Sequence, residues 1–222
     1  MATGEGLHKH AFWLYGVIIG LAIKEALAAV IPHVFNPPPN EVGAITLEAA
    51  RLFVFLVVTI RFFLGSVFYF DCAHTGPGCD DTYPNKDYYV DFLFGLVHFI
   101  FFFAWALSID AFKTHIKLFP GLLTLILLYD WLWYLVSRRY DTQHVIKLWT
   151  WINTGTVTVA GGVYLAFRAM QFGPALSQAV AFVPVVIFSL IDIGDIMRER
   201  DTIGDWLRGL SNRRANRPGA TG

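Results

Sequence analysis

Long apolar stretches separated by short polar segments dominate the chain. Six of them approach or exceed the roughly 20 residues that a helix needs to cross a hydrocarbon layer. They cover residues 11–33, 45–70, 88–110, 118–137, 145–167 and 175–197. Too few polar residues remain to cover six such helices in water, which argues against a single soluble domain. The pattern predicts an all-α, polytopic membrane helix bundle with about six transmembrane helices.

Composition supports this class of protein. The 222 residues are 55% hydrophobic and only 15% charged, and the mean hydropathy is +0.51. The formal net charge is zero and no nucleic-acid-binding motif is found, so the expected partner is membrane lipid and not nucleic acid. We assign residues 1–197 to a six-helix transmembrane domain and residues 198–222 to a cytoplasmic segment.

The distribution of basic residues predicts the orientation, because cytoplasmic loops carry the excess of Lys and Arg. The alternating loops divide these residues unevenly. One side holds Lys9, Lys86, Arg138, Arg139, Lys147 and the basic tail over 198–217, whereas the other holds Lys113, Lys117 and Arg168. Both termini are therefore predicted to be cytoplasmic, in a multi-pass protein of a bacterial-type inner membrane or another plasma membrane.

The segment after the sixth stretch has its own pattern. Ile203, Trp206, Leu207 and Leu210 recur at helical spacing and are followed by several arginines. This predicts a short interfacial amphipathic helix with a basic tail, attracted to anionic headgroups. The alternative is a solvated end to the last crossing.

Polar residues within the apolar stretches are the candidate functional residues, since a charge at the centre of a transmembrane helix costs about 2.5–3.5 kcal/mol. Arg61 precedes Asp71 by ten residues, or about 15 Å of helix, which places it near the midplane. The candidates for a transport pathway or buried polar network are Lys24, Glu25, Arg61, Asp91, His98, Asp130, Asn153, Asp192 and Asp195.

Opposite charges within a membrane must meet to offset their desolvation. We predict pairing of Arg61 with Asp130 or Asp192, and of Lys24 with Glu48 or Asp91. His98 follows Asp91 by seven residues, so these two side chains share a helix face. The polar groups either hold helices together or, as a set with a histidine, form a hydrophilic pathway or proton-coupled site.

Small residues at four-residue intervals form two strips. One strip contains Gly16, Gly20 and Lys24, and the other contains Thr150, Thr154, Thr158, Gly162 and Ala166. Both indicate close helix contacts, within the chain or with a partner, so a homo-oligomer or a membrane-complex partner is expected. The threonines could instead line a water-filled face.

The loop after the second stretch contains the only two cysteines. Cys72, His74 and Cys79 are suitable metal ligands, but no second half of a zinc-binding spacing is present. With the predicted orientation this loop is cytoplasmic and its thiols stay reduced. In the inverted orientation the cysteines could form a disulfide.

Sequence motifs of soluble-type catalysis are absent, including the Walker loop, the Gly-x-Ser-x-Gly elbow and His-Glu-x-x-His. The sequence leaves open whether a cofactor is bound. The leading hypothesis is a channel or carrier for protons or small ions that uses the buried polar residues. One alternative is a non-catalytic interaction or sensor subunit of an oligomeric complex. The other is an intramembrane enzyme acting on a lipid or quinone, with His98 and Asp91 or Asp130 as acid and base.

Overall fold

The fold is all-helical, as predicted. The computed structural model describes residues 4–36, 42–70, 86–110, 112, 115–139 and 145–215, with side chains described over 13–36, 43–70, 88–110, 112, 115–139 and 146–198. The described residues form six helices. They are α1 (Gly4–Phe35), α2 (Val42–Phe70), α3 (Lys86–Ala106), α4 (Leu118–Ser137), α5 (Val145–Ala169) and α6 (Pro174–Ala215).

Five of these six described helices are long and apolar enough to cross a membrane. The apolar spans are Trp13–Phe35, Gly43–Phe70, Tyr88–Ala106, Leu118–Ser137 and Pro174–Arg198. The architecture is that of a multi-pass integral membrane protein. Helix α5 is 25 residues long but less apolar than these five spans, because it contains Asn153, three glycines and four threonines, at positions 150, 154, 156 and 158.

Helix α6 is longer than the predicted sixth crossing. Its backbone is helical through Pro184 and continues to Ala215, so no break separates the apolar span from the segment predicted as a distinct interfacial helix. The sequence between Met197 and Ala215 contains no proline that would end a helix. Interfacial placement of this segment stays a prediction.

Side-chain contacts show that the described helices alternate in direction. Helix α2 runs antiparallel to α3, since Phe55 contacts Trp105 while Tyr69 contacts Asp91. It runs parallel to α6, since Arg51 contacts Gln178 and Arg61 contacts Asp192. Helix α1 is parallel to α3.

The described start of α1 and the end of α6 therefore lie at the same end of the bundle. We call this the terminal end, marked by Phe70 and Tyr88. The other end, marked by His33 and Glu48, is called the opposite end. This arrangement is consistent with an even number of crossings.

Aromatic side chains fill much of the core between α1, α2, α3 and α4. Two glycines allow large side chains to approach the backbone. A Cβ atom at Gly65 would lie 2.6 Å from the Trp149 ring, and one at Gly95 would lie 2.7 Å from the Tyr15 hydroxyl. Trp149 of α5 can therefore pack directly on α2, which brings α5 next to the most polar part of that helix.

Candidate functional site

Five buried side chains from five helices meet at mid-depth in the bundle, and we call them the central network. They are Arg61 of α2, His98 of α3, Asp130 of α4, Asn153 of α5 and Asp192 of α6. Each lies well inside its helix and is at most 7% exposed. Because these side chains are almost completely buried, most of their polar atoms must pair with one another.

Hydrogen bonds connect four of these residues in a chain. Arg61 Nε donates to Asp192 Oδ2 at 2.5 Å and forms a buried ion pair with it. The Arg61 Nη1 group donates to Asn153 Oδ1 at 2.7 Å. Asn153 Nδ2 in turn donates to Asp130 Oδ2 at 2.6 Å. Asn153 thus links the guanidinium to the second carboxylate.

His98 completes the network on the side of α3. Its Nδ1 atom lies 3.5 Å from Asp130 Oδ1, and its ring contacts the rings of Phe62 and Tyr129. The other ring nitrogen, Nε2, is buried and has no hydrogen-bond partner among the described residues. An imidazole this close to a carboxylate needs only a small movement to reach hydrogen-bond distance, at which the two groups can exchange a proton.

A small cavity opens within the network. Its volume is about 10 Å³, close to the smallest space that holds one water molecule. The lining residues are Arg61, Phe62, Asp130, Trp149, Asn153 and Asp192. Three of the six carry a charge when ionised.

The structure decides between the two predicted partners of Arg61. The prediction that Arg61 pairs with Asp130 or Asp192 is confirmed for Asp192, and Asp130 is reached through Asn153. The sequence indicated the depth of both carboxylates. It did not indicate the rotation of α4 and α6 about their axes, which sets the direct partner.

The predicted pairing of Lys24 with Glu48 or Asp91 is wrong. Lys24 Nζ bonds the neighbouring Glu25 at 3.2 Å, and the Lys24 side chain is 72% exposed. Asp195, one turn beyond Asp192 on α6, is also exposed. These three residues lie outside the central network.

Asp91 forms a separate cluster near the terminal end. It accepts hydrogen bonds from the Tyr69 hydroxyl at 2.8 Å and from Trp133 Nε1 at 2.7 Å. Although Asp91 and His98 lie on one face of α3, two turns of helix place them about 10 Å apart along the axis. They consequently contact different groups.

Arg51 was missed as a candidate residue, although an arginine within an apolar stretch was the available signal. It is fully buried near the opposite end. Its guanidinium donates to Gln178 Oε1 and to the carbonyls of Ser108, Ile109 and Ile116. Arg51 therefore joins α2 to α6 and to the connection between α3 and α4.

Two sets of residues bear on metal binding. Cys72, His74 and Cys79 lie outside the described residues, so that metal site stays a prediction. Within the described residues, potential ligand atoms of His33, Glu48 and Asp110 lie within 4.8 Å of one another. His33 and Asp110 are the last residues of the first and third predicted crossings, and neither is among the predicted metal ligands.

Comparison of the chain with protein family models, curated proteins and solved structures finds no match in any of the three. The function of the chain is therefore inferred from the geometry of the central network and its surroundings.

Proposed function

We propose that the protein is a membrane transport protein, and specifically a carrier of protons, in which the central network is the transport site. The observation that carries this proposal is the buried contact of Asp130 with His98, next to the ion pair between Arg61 and Asp192. Ionisable groups of both signs at mid-depth of a membrane protein are typical of proton relays and ion pathways.

Charge balance supports a proton as the transported species. When ionised, Asp130 and Asp192 bring two negative charges, and Arg61 brings one positive charge. An uncompensated charge in a low-dielectric interior costs several kcal/mol. One proton, held by Asp130 or His98, balances the network. Since these two groups are 3.5 Å apart, the proton can pass between them with small side-chain movements.

The packing supports a carrier rather than an open pore. The cavity is too small for a hydrated ion. Towards the opposite end, the rings of Phe55, Phe62, Phe102 and Trp105 contact one another and separate the central network from Arg51. We call these four rings the aromatic layer. In the proposed cycle, this layer closes one route while Asp130 and His98 exchange their proton towards the other end.

We also propose that α5 crosses the membrane, as a sixth transmembrane helix. The hydroxyls of Thr150, Thr154, Thr156 and Thr158 each donate to the carbonyl four residues earlier, which lowers the cost of placing them in lipid. Asn153 of this helix belongs to the central network. Six crossings would then place both termini on one side, which we propose is the cytoplasmic side.

The test is proton flux in liposomes that contain the purified protein, with a pH gradient imposed and a trapped pH-sensitive dye. We expect flux well above that of protein-free liposomes, and a large decrease in His98→Ala. The matched control is His115→Ala, because His115 is exposed and distant from the central network. Absence of flux in the wild-type protein, or equal flux in the two variants, would contradict the proposal.

We also propose that the carrier is a homo-oligomer assembled through α1. Lys24 lies at the middle of the span Trp13–Phe35 and is exposed beside Glu25. Lipid is an unfavourable environment for this pair. In a symmetric dimer, Lys24 of each copy faces Glu25 of the other, so the surface is complementary to itself. Gly16 and Gly20 lie on the same exposed face and allow two helices to approach closely.

Gly20→Leu is expected to convert this dimer to a monomer, because the larger side chain holds the two α1 helices apart. The mass of the protein in nanodiscs or mild detergent measures this. Gly162→Leu is the matched control, since both glycines are exposed and have open space where a Cβ would lie. A dimer that survives Gly20→Leu but is lost in Gly162→Leu would place the interface on α5 and refute the one proposed.

A further inference from the structure

Three chain segments meet at the opposite end of the bundle, on the far side of the aromatic layer from the central network. His33 lies in the last turn of α1, Glu48 lies near the start of α2, and Asp110 follows the end of α3. These residues are far apart in the sequence, and only the fold brings them together. We propose that His33, Glu48 and Asp110 form a binding site for a divalent transition metal ion.

The geometry suits three ligands of one ion. His33 Nδ1 lies 2.8 Å from Glu48 Oε2, and one potential ligand atom from each of the three residues lies within 4.8 Å of the others. Two ligands at about 2.1 Å from a tetrahedral ion are about 3.4 Å apart. The histidine and glutamate atoms therefore need to separate by about 0.6 Å from their present distance, which small side-chain rotations allow.

The surroundings hold the ligands in position. Glu48 is fully buried and Asp110 is 5% exposed. One Asp110 oxygen accepts a hydrogen bond from the Phe112 amide at 3.0 Å, and the His33 ring packs against the Phe112 ring. Contacts of this kind orient metal ligands and raise affinity. The His33 side chain is 20% exposed, which provides an entry path for an ion.

Arg51 lies beside this group without occupying it. Its guanidinium N–H groups are directed at Gln178 and at backbone carbonyls. It contributes a nearby positive charge while its hydrogen bonds hold the connection between α3 and α4 that carries Asp110.

The ligand types indicate the class of metal. One imidazole and two carboxylates suit Zn²⁺, Mn²⁺ or Fe²⁺, whereas an all-oxygen set would suit Mg²⁺ or Ca²⁺. Three protein ligands also leave a position for water or another small ligand. Such an ion would link α1, α2 and the segment after α3, so its binding would stabilise this end of the bundle.

The test uses the purified full-length protein, stripped with a chelator and titrated with Zn²⁺ or Mn²⁺ by calorimetry. The wild-type protein should bind one ion of at least one of these metals at the site and unfold at a higher temperature when it is bound. His33→Ala and Glu48→Gln should each weaken the binding at least tenfold. His115→Ala is the matched control and should bind as the wild type does.

A Cys72→Ser/Cys79→Ser variant distinguishes metal binding at this site from metal binding by the Cys72 loop. This variant should bind the metal ion as the wild-type protein does. His33→Ala replaces a partly exposed residue at a helix end, so we expect the variant to fold and to give a normal helical circular-dichroism spectrum. Loss of metal binding in this folded variant can then be assigned to the missing imidazole. No binding by the wild-type protein, or binding unchanged in both His33→Ala and Glu48→Gln, would overturn the proposal. Loss of binding only in the cysteine variant would overturn it as well.

Discussion

Asp192→Ala is expected to lower the free energy of unfolding by about 3–5 kcal/mol, the usual cost of removing one partner from a buried ion pair. The variant leaves the Arg61 guanidinium buried without the carboxylate that accepts its Nε–H group. Asn153 accepts only one of the remaining donors. Reversible unfolding in mixed detergent micelles, followed by tryptophan fluorescence, measures the loss.

Asp195→Ala is the matched control for this experiment. Asp195 lies on the same helix but is exposed, so its replacement should change the free energy by no more than about 0.5 kcal/mol. The double variant Arg61→Met/Asp192→Ala removes both charges and should lose less than the sum of the losses in Arg61→Met and Asp192→Ala. Losses that add strictly would show that the two side chains do not interact.

Arg51→Met is the second substitution for which we expect a large effect, a loss of about 3 kcal/mol or more in the free energy of unfolding. Each buried acceptor left without a donor costs about 1–3 kcal/mol. Arg51 donates to the carbonyls of Ser108 and Ile109 and to the Gln178 side chain. Methionine fills similar space but donates to none of them. The same unfolding measurement applies.

Arg168→Met provides the comparison for Arg51→Met. Arg168 is exposed near the end of α5 and donates to the Phe172 carbonyl on its own side of the bundle. Arg168→Met should lower the free energy of unfolding by no more than about 0.5 kcal/mol. Equal losses in the two variants would mean that the buried hydrogen bonds of Arg51 contribute little to stability.

The helices could be predicted from the sequence because membrane thickness sets the length of an apolar helix. Predicted and observed ends agree closely for α2 and α4. The third helix ends at Ala106 and not at the predicted residue 110. Asp110 therefore lies in the following connection, where it accepts a hydrogen bond from the Phe112 amide. Helix α6 extends beyond the predicted crossing to Ala215. The end of an apolar stretch predicts where the chain leaves the lipid, but the helix itself can continue into polar sequence.

The depth of the polar residues was also predictable, whereas the direction of each side chain was not. The pairing of Arg61 with Asp192 was predicted correctly, because residues of opposite charge at the same depth in the membrane can reach each other. Depth also suggested a buried Lys24, yet Lys24 faces outwards. The rotation of α1 about its axis depends on packing against α2 and α3 by side chains such as Tyr15, whose hydroxyl donates to the Phe92 carbonyl.

Contacts between distant parts of the chain could not be predicted from the sequence either, because they too depend on the rotation of each helix about its axis. Asp91 and His98 share a face of α3, but Asp91 bonds Tyr69 and Trp133 while His98 faces Asp130. Arg51 lies six residues after the predicted start of its crossing, where an arginine can reach the headgroups in many proteins. Its burial becomes evident only when the connection between α3 and α4 folds over it.

The most direct test of the proposed carrier compares Asp130→Asn with Asp195→Asn in the liposome flux assay. An asparagine at position 130 can still accept the hydrogen bond from Asn153, so the variant should fold, but its amide cannot take up and release a proton. We predict that proton flux falls at least tenfold in Asp130→Asn and stays at the wild-type level in Asp195→Asn. Wild-type flux in a folded Asp130→Asn protein would contradict the assignment of the central network as the transport site.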